Sequence, residues 1–228
     1  MQHRQLGGNG PAVSAFALGC MGMSGIYGPA DRQESIATIH AALDAGITLL
    51  DTGDFYRQGH NELLIAEALR GRRREQVLLS VKFGVLREPA GNWCACDTRP
   101  AAVKTFLAYS LQRLGVEYLD ISRPARLDPN VPIEDTIGAI ADMIKAGYVR
   151  QIGLSEVNAA TLRRAAATHA IADLQIEYSL LSRGLIGGQL RADTAFAAGD
   201  WRATSPRFQG ENRARYPAMA MAHLNSEQ

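Results

Sequence analysis

The chain predicts an α/β fold whose parallel strands belong to a barrel, and three observations carry that expectation. Short, almost continuously apolar runs alternate with longer segments of helical periodicity, the pattern of strands buried on both faces and joined by helical crossovers. The first strand-to-helix turn, Leu18-Gly-Cys-Met-Gly-Met-Ser-Gly25, lacks the G-x-G-x-x-G order that opens a doubly wound dinucleotide-binding sheet. Asp51, Lys82, Arg123 and Ser155 fall at or just beyond the C-terminal ends of four different strands, the face on which a TIM-type (β/α)8 barrel builds its site. An open sheet would gather them at one crevice.

The elements follow in order. Residues 4–6 and 13–18 flank a Gly-Gly-Asn-Gly-Pro turn and predict an N-terminal β-hairpin, and a strand near residues 17–20 begins the sheet. Ile36, Ile39 and Leu43 recur at helical spacing between Asp31 and Gly46, and Ile47-Thr-Leu-Leu50 is the second strand. Val77-Leu-Leu-Ser-Val81 is the third. Val103, Phe106, Leu107, Ser110, Leu111 and Leu114 line a helix ending before Gly115, and Tyr118-Leu-Asp-Ile121 is the fourth strand. Pro132 opens and Gly147 closes a helix striped by Ile133, Ile137, Ile140, Ala141 and Ile144. A fifth strand over 149–154, an Ala-rich helix over 159–169 and a sixth strand over 174–178 complete the regular part.

A composition of 46% hydrophobic and 21% charged residues over 228 positions supports a soluble globular core and excludes disorder. Lys plus Arg number 24 against 23 Asp plus Glu, a net charge of +1, so no field draws nucleic acid or an anionic membrane. No stretch approaches the ~20 apolar residues of a membrane span, and the polar, Gly-rich start has no apolar leader segment. Cys20, Cys94 and Cys96 are an odd number in a chain too long to need staples, which fits a reducing compartment; a cytoplasmic protein is expected. Cys94-Ala95-Cys96 has no second Cys/His pair nearby, so no metal is expected. The expected partner is a small molecule recognised by shape and local chemistry.

The strand ends assemble a unit suited to carbonyl reduction. Leu49-Leu-Asp51-Thr-Gly-Asp54-Phe-Tyr56 ends one strand with a carboxylate and sets a phenol five residues later, while Lys82 ends the next strand. Adjacent parallel strands lie ~5 Å apart, so these groups can meet. A Lys near a Tyr favours tyrosinate, and an Asp paired with that Lys keeps it charged and oriented, making Tyr56 a tunable acid.

These residues stand in a longer ordered set: Leu50-Asp51-Thr-Gly-Asp-Phe-Tyr56, Gly59-His-Asn-Glu62-Leu-Leu-Ile-Ala-Glu-Ala-Leu69, Lys82, Ser110-Leu-Gln-Arg-Leu-Gly-Val-Glu-Tyr-Leu-Asp120, Gly147-Tyr-Val-Arg-Gln-Ile-Gly-Leu-Ser155 and Gln175-Ile-Glu-Tyr178. In that set the chain resembles the aldo-keto reductases, barrel enzymes that use a nicotinamide cofactor, usually NADPH, without a Rossmann domain. The resemblance implies reduction of aldehydes or ketones with NADPH, NADH being an alternative. It implies Tyr56 as general acid with Asp51 and Lys82 tuning it. Ser155 and Gln175 would bind the nicotinamide carboxamide, and Cys20, Met21, Asp51, Ser182 and Gly184 would line the cofactor.

The chain also departs from that pattern. The family's fourth catalytic group is a His in D-L-Y-x-L-H-R-x-D, where this chain reads Asp120-Ile-Ser-Arg-Pro-Ala125-Arg-Leu-Asp128, with Ala125 in the His position. Loss of such a donor costs roughly two to three orders of magnitude in rate, and Arg123 and His60 are candidate substitutes. Ser155 is followed by Glu156 rather than Asn, which removes a side-chain donor. Six strand–helix units end at Tyr178 where a closed barrel has eight. Tyr178-Ser-Leu-Leu-Ser-Arg-Gly184-Leu-Ile-Gly-Gly188 resembles the family's later cofactor loop, as if two units were deleted. The expected organisation is a single domain over 1–228, with barrel units one to six over 1–178 and a remnant cofactor loop and divergent tail over 179–228. An incomplete barrel of this kind is expected to self-associate through exposed sheet edges. Two functions remain open: a reductase with impaired turnover, or an inactive barrel remnant that binds cofactor or a partner.

Overall fold

The computed structural model describes residues 1–8 and 10–176, together with 195, 196, 200 and 203. The compact unit Met1–Ser24 and Ala30–Gln175 contains the sheet and its helices. Strands β1 (His3–Gln5) and β2 (Ala12–Ser14) form the antiparallel hairpin, with His3 opposite Ser14. The chain continues through β3 (Leu18–Gly19), α1 (Arg32–Asp44), β4 (Leu49–Gly53), α2 (His60–Ala68) and β5 (Leu78–Phe83). A second hairpin, β6 (Val85–Arg87) and β7 (Trp93–Cys96), precedes α3 (Pro100–Leu114). Then come β8 (Leu119–Pro124), α4 (Ile133–Lys145), β9 (Val149–Ser155), α5 (Ala159–Thr168) and β10 (Ile171–Gln175).

Strands β10, β9, β8, β5, β4 and β3 form, in that order, a six-stranded sheet in which every pairing is parallel. It is the sheet of a TIM-type barrel, with six strands among the described residues. Leu50, Leu79, Leu119, Ile152 and Leu154 of the strands are fully buried, as are Ile39, Leu64, Ile65, Ile137 and Ile140 of the helices that cover them. Each such side chain contributes about 1.5–3 kcal/mol by leaving water.

Local chemistry fixes the helix ends. Asp31 caps α1 by accepting the Glu34 N–H at 2.8 Å, and Asn158 caps α5 by accepting that of Thr161 at 2.9 Å. Helix α3 starts with Pro100 and stops at Gly115, whose φ of 66° is left-handed. The first hairpin seats on the N-terminal end of the sheet. The Ser14 N–H donates to Thr48 Oγ1 and the Thr48 N–H donates to Ser14 Oγ, both at 2.9 Å. Val13 packs in one cluster with Leu49 and Ile121.

Three elements differ from expectation. The sixth strand lies at Ile171–Gln175, three residues ahead of the expected 174–178; its interior holds Asp173, a charged residue that interrupts the apolar run and is ion-paired there. Helix α2 has no apolar stripe to announce it, since Asn61 and Glu62 are buried along with Leu64, Ile65 and Ala68. The hairpin of β6 and β7 lies between the expected third strand and the helix that follows it, where no strand is expected. No helix among the described residues is long and apolar enough to cross a membrane, and no cluster of His, Cys, Asp and Glu among them is arranged to hold a metal.

Candidate active site

The parallel register between β4 and β5 sets Asp51 opposite Ser80 and Gly53 opposite Lys82. Side chains alternate along a strand, so these four positions share one face. There the Lys82 ammonium donates to Asp51 Oδ1, and Ser80 Oγ donates to Asp51 Oδ2 at 3.1 Å. Asp51 and Lys82 are both buried, at 7% and 8% exposure. Burial pushes the Lys82 ammonium below its ordinary range, while the Asp51 charge and hydrogen bond oppose the fall.

Tyr56 is brought to this pair by a tight turn. Its N–H donates to Gly53 O at 3.0 Å, and its ring centroid lies 6.0 Å from Lys82 Nζ. Gly53 is required by proximity: a Cβ there would sit 3.1 Å from Tyr56 Cε1 and 3.1 Å from Phe55 Cε1. Beyond Tyr56, Arg57 and Gln58 both hold φ of 48°, a left-handed conformation that costs side-chain-bearing residues free energy, before Gly59 opens α2 at φ 91°. Phe55 packs edge-on against Tyr56 with centroids 4.9 Å apart, and Trp93 of β7 packs edge-on against Phe55 at 5.7 Å.

A buried network that sequence reasoning missed holds the turn in place. Thr52 Oγ1 donates to Asn61 Oδ1 at 2.6 Å, and Asn61 Nδ2 donates to Cys20 O at 2.8 Å and Ser24 Oγ at 2.7 Å. One amide thereby ties β4, the segment after β3 and α2 together. His60, at the start of α2, sits 3.0 Å through Nδ1 from the same Ser24 Oγ and 3.5 Å through Nε2 from Arg32. Burial, Arg57 and Arg32 all lower its pKa.

Asp54 lies beside this network with both carboxylate oxygens buried and no hydrogen-bond partner of ordinary geometry among the described residues. Burial, reinforced by the nearby Glu62 charge, pushes its carboxyl well above the usual range; Arg113, which pairs with Glu62, acts against that rise. The folded chain therefore binds the Asp54 proton more tightly than the unfolded chain. Its contribution to stability is complete below about pH 4, the unfolded value, and is lost as pH rises through the folded value. Asp54→Asn should consequently gain on the parent as pH rises above about 4, read as the difference between their urea midpoints over a pH series. Parallel pH curves for the two chains would rule this out.

On the neighbouring strands, register continues the Lys82 level to Arg123 of β8 and pairs Gly153 of β9 with Asp173 of β10. Arg123 is 2% exposed, and its Nη2 donates to both Asp173 oxygens, at 2.7 and 2.6 Å. The glycine makes room: a Cβ at Gly153 would meet Asp173 Oδ1 and would lie 2.9 Å from Arg123 Nε. Just past β8, Ala125 is buried and its N–H donates to Phe83 O at 2.9 Å. Neither expected substitute for its missing side chain is idle, since Arg123 is held by Asp173 and His60 by Ser24.

Ser155 and Gln175 end adjacent strands in direct register, Ser155 buried and Gln175 Oε1 buried without a hydrogen-bond partner among the described residues. Glu156 follows at φ 55°, a conformation that Asn tolerates better than Glu, and its N–H donates to Gln175 O at 3.0 Å. Cys20 is fully buried. Its N–H donates to Asp51 O at 2.9 Å, and burial, with Asp51 adding and Lys82 opposing, pushes its thiol up to about 12. Met21 begins a single 3₁₀ turn, Met21–Ser24, and is half-buried. Ser182 and Gly184 lie outside the described residues.

Known proteins resemble this chain in sequence and in fold. The sequence profile of the Aldo/keto reductase family matches residues 15–188. The chain is 39% identical over 186 residues to probable aldo-keto reductase 1 of Glycine max, covering 81% of this chain and 54% of that protein. It is 33% identical over 230 residues to aldo-keto reductase yakc [NADP(+)] of Schizosaccharomyces pombe, covering 88% of this chain and 67% of the relative. The structure of glycerol dehydrogenase AKR11B4 from Gluconobacter oxydans superposes with a TM-score of 0.81 at 26% identity, over 96% of this chain and 76% of the other. The chain thus spans about half the length of the soybean relative. By profile, by sequence and by fold, this chain belongs to the aldo/keto reductase family.

Proposed function

We propose that the chain is an oxidoreductase that reduces aldehydes or ketones to alcohols with NADPH, and with NADH as an alternative. The observation that carries this reading is the buried Asp51–Lys82 pair with the Tyr56 ring 6.0 Å from the ammonium. In this reading Tyr56 passes its phenolic proton to the carbonyl oxygen of the substrate. Lys82 favours the tyrosinate left behind, Asp51 holds Lys82 charged and oriented, and solvent returns the proton to Tyr56.

The residues present fit a nicotinamide. The orphaned Gln175 Oε1 can accept from a carboxamide NH2, while the Ser155 hydroxyl beside it can donate to the carboxamide oxygen. When bound, the reduced cofactor supplies a hydride to the carbonyl carbon. The yeast relative's name specifies NADP(+), which supports NADPH as the first choice. Ala125 favours a second reading, cofactor binding without turnover, because a buried methyl donates nothing to a carbonyl oxygen.

Titration of NADPH, followed by its fluorescence and by the melting temperature, combined with turnover of a reactive aromatic aldehyde, separates the two. Saturable binding and turnover that falls by about two orders of magnitude or more in Tyr56→Phe support the reductase. Binding without turnover supports the second reading. No binding at all overturns both.

A further inference from the structure

We propose that Arg123 is a positioning residue of the same site: held by Asp173 in the space left by Gly153, it fixes a permanent positive charge beside Lys82 and so sets how readily Tyr56 gives up its proton. The inference rests on the reading of Tyr56 as the acid, and four observations carry it.

Arg123 and Lys82 are direct partners in the β5–β8 ladder, which sets their backbones about 5 Å apart with both side chains on one face. The guanidinium is almost wholly buried, and a stability role alone gives little reason for it, because buried ion pairs are commonly replaced by apolar residues at no loss. Its pairing is also incomplete. Both contacts to Asp173 come from Nη2, rather than from two nitrogens in parallel, and the buried Nε–H donor is therefore left without an acceptor among the described residues. Finally, Gly153 leaves the room that the pair occupies, since a Cβ there would press on both members and one of them would have to shift.

The groups facing Lys82 are Asp51 from β4, Arg123 from β8, Asp173 from β10, Tyr56 from the turn after β4, and the Cys20 thiol after β3. The Arg123 cation lowers the Lys82 ammonium and the Asp173 carboxylate raises it; Arg123 stands on the strand next to Lys82 and Asp173 three strands away, which sets the positive end of the pair toward Lys82. A cation held there also stabilises the tyrosinate that remains after proton transfer. Ala125, the next inward position after the strand, offers no charge of its own.

The test reads Tyr56 directly. Tyrosinate absorbance is titrated in the full chain without cofactor or substrate, and the curve of Tyr56→Phe is subtracted to isolate the single phenol. Replacing the pair by apolar residues, Arg123→Met with Asp173→Leu, is expected to weaken Tyr56 ionisation about tenfold, a midpoint about one pH unit higher. Asp173→Asn keeps the cation and removes its counter-charge, so the midpoint should move the opposite way, and the pH profile of kcat should follow both. A titration unmoved in the folded double variant, or moved in the same direction by both changes, overturns the proposal. If the double variant does not fold, the sign of the Asp173→Asn shift decides alone. Failure of the acid reading itself looks different: Tyr56→Phe would then reduce the aldehyde as fast as the parent, whatever the titration shows.

Discussion

A chain carrying Lys82→Met is expected to reduce carbonyls about a thousandfold more slowly in kcat/KM, a loss of about 4 kcal/mol of transition-state stabilisation. Two effects combine. The cation that favours tyrosinate is gone, and the turn that carries Tyr56 loses the charge over which its ring lies. The same substitution strands Asp51, buried and left with Ser80 Oγ as its remaining side-chain donor among the described residues, which should cost about 3–5 kcal/mol of folding stability. Adding Asp51→Asn removes the stranded charge, so the double variant should recover most of the stability and none of the rate. Steady-state NADPH oxidation and urea unfolding of the three chains read the two effects separately. Turnover that returns with the second substitution would contradict the role given to Lys82.

Asp173→Ala should damage the fold about as much as Lys82→Met, at about 3–5 kcal/mol. It leaves the Arg123 guanidinium, at 2% exposure, without the carboxylate that holds it. Against the 5–15 kcal/mol that typical domains possess, this approaches global unfolding. Asp173→Asn should cost less, because its amide oxygen still accepts from Nη2. Chemical denaturation of the alanine variant alongside Arg123→Met/Asp173→Leu makes the comparison. A stable alanine variant would mean that the guanidinium finds another acceptor.

The strands legible in the sequence are those whose runs remain mostly apolar. Leu50, Leu79, Ile121 and Leu154 mark β4, β5, β8 and β9, and the buried polar residues of these strands, Asp51, Lys82, Arg123 and Ser155 among them, fall toward their C-terminal ends. Strand β10 lies three residues from its expected place because its interior is occupied by Asp173, whose partner lies fifty positions upstream and leaves no local trace. Helix α2 is hidden for a similar reason: Asn61 and Glu62 are buried by virtue of distant partners, Thr52, Ser24 and Arg113. At the site, Asp51, Tyr56 and Lys82 are legible because strand ends and a short spacing bring them together. Arg123 is visible as an out-of-place polar residue, but not its bond to Asp173. The available signal is Gly153, a glycine inside a strand, which marks a close approach by something else.

The N-terminal hairpin carries a consequence for the order in which the chain acquires structure. It leaves the ribosome well before the residues that seat Ser14 and Val13, Thr48 and Leu49 following by tens of residues and Ile121 by more than a hundred. A two-stranded hairpin is marginal alone in water, so β1 and β2 gain their first anchor with Thr48 and Leu49 and their last, Ile121, only with β8. A segment made before the rest of the sheet is thus secured in two steps. Protection of the Ser14 amide from hydrogen exchange in arrested nascent chains would date the docking of the hairpin on Thr48.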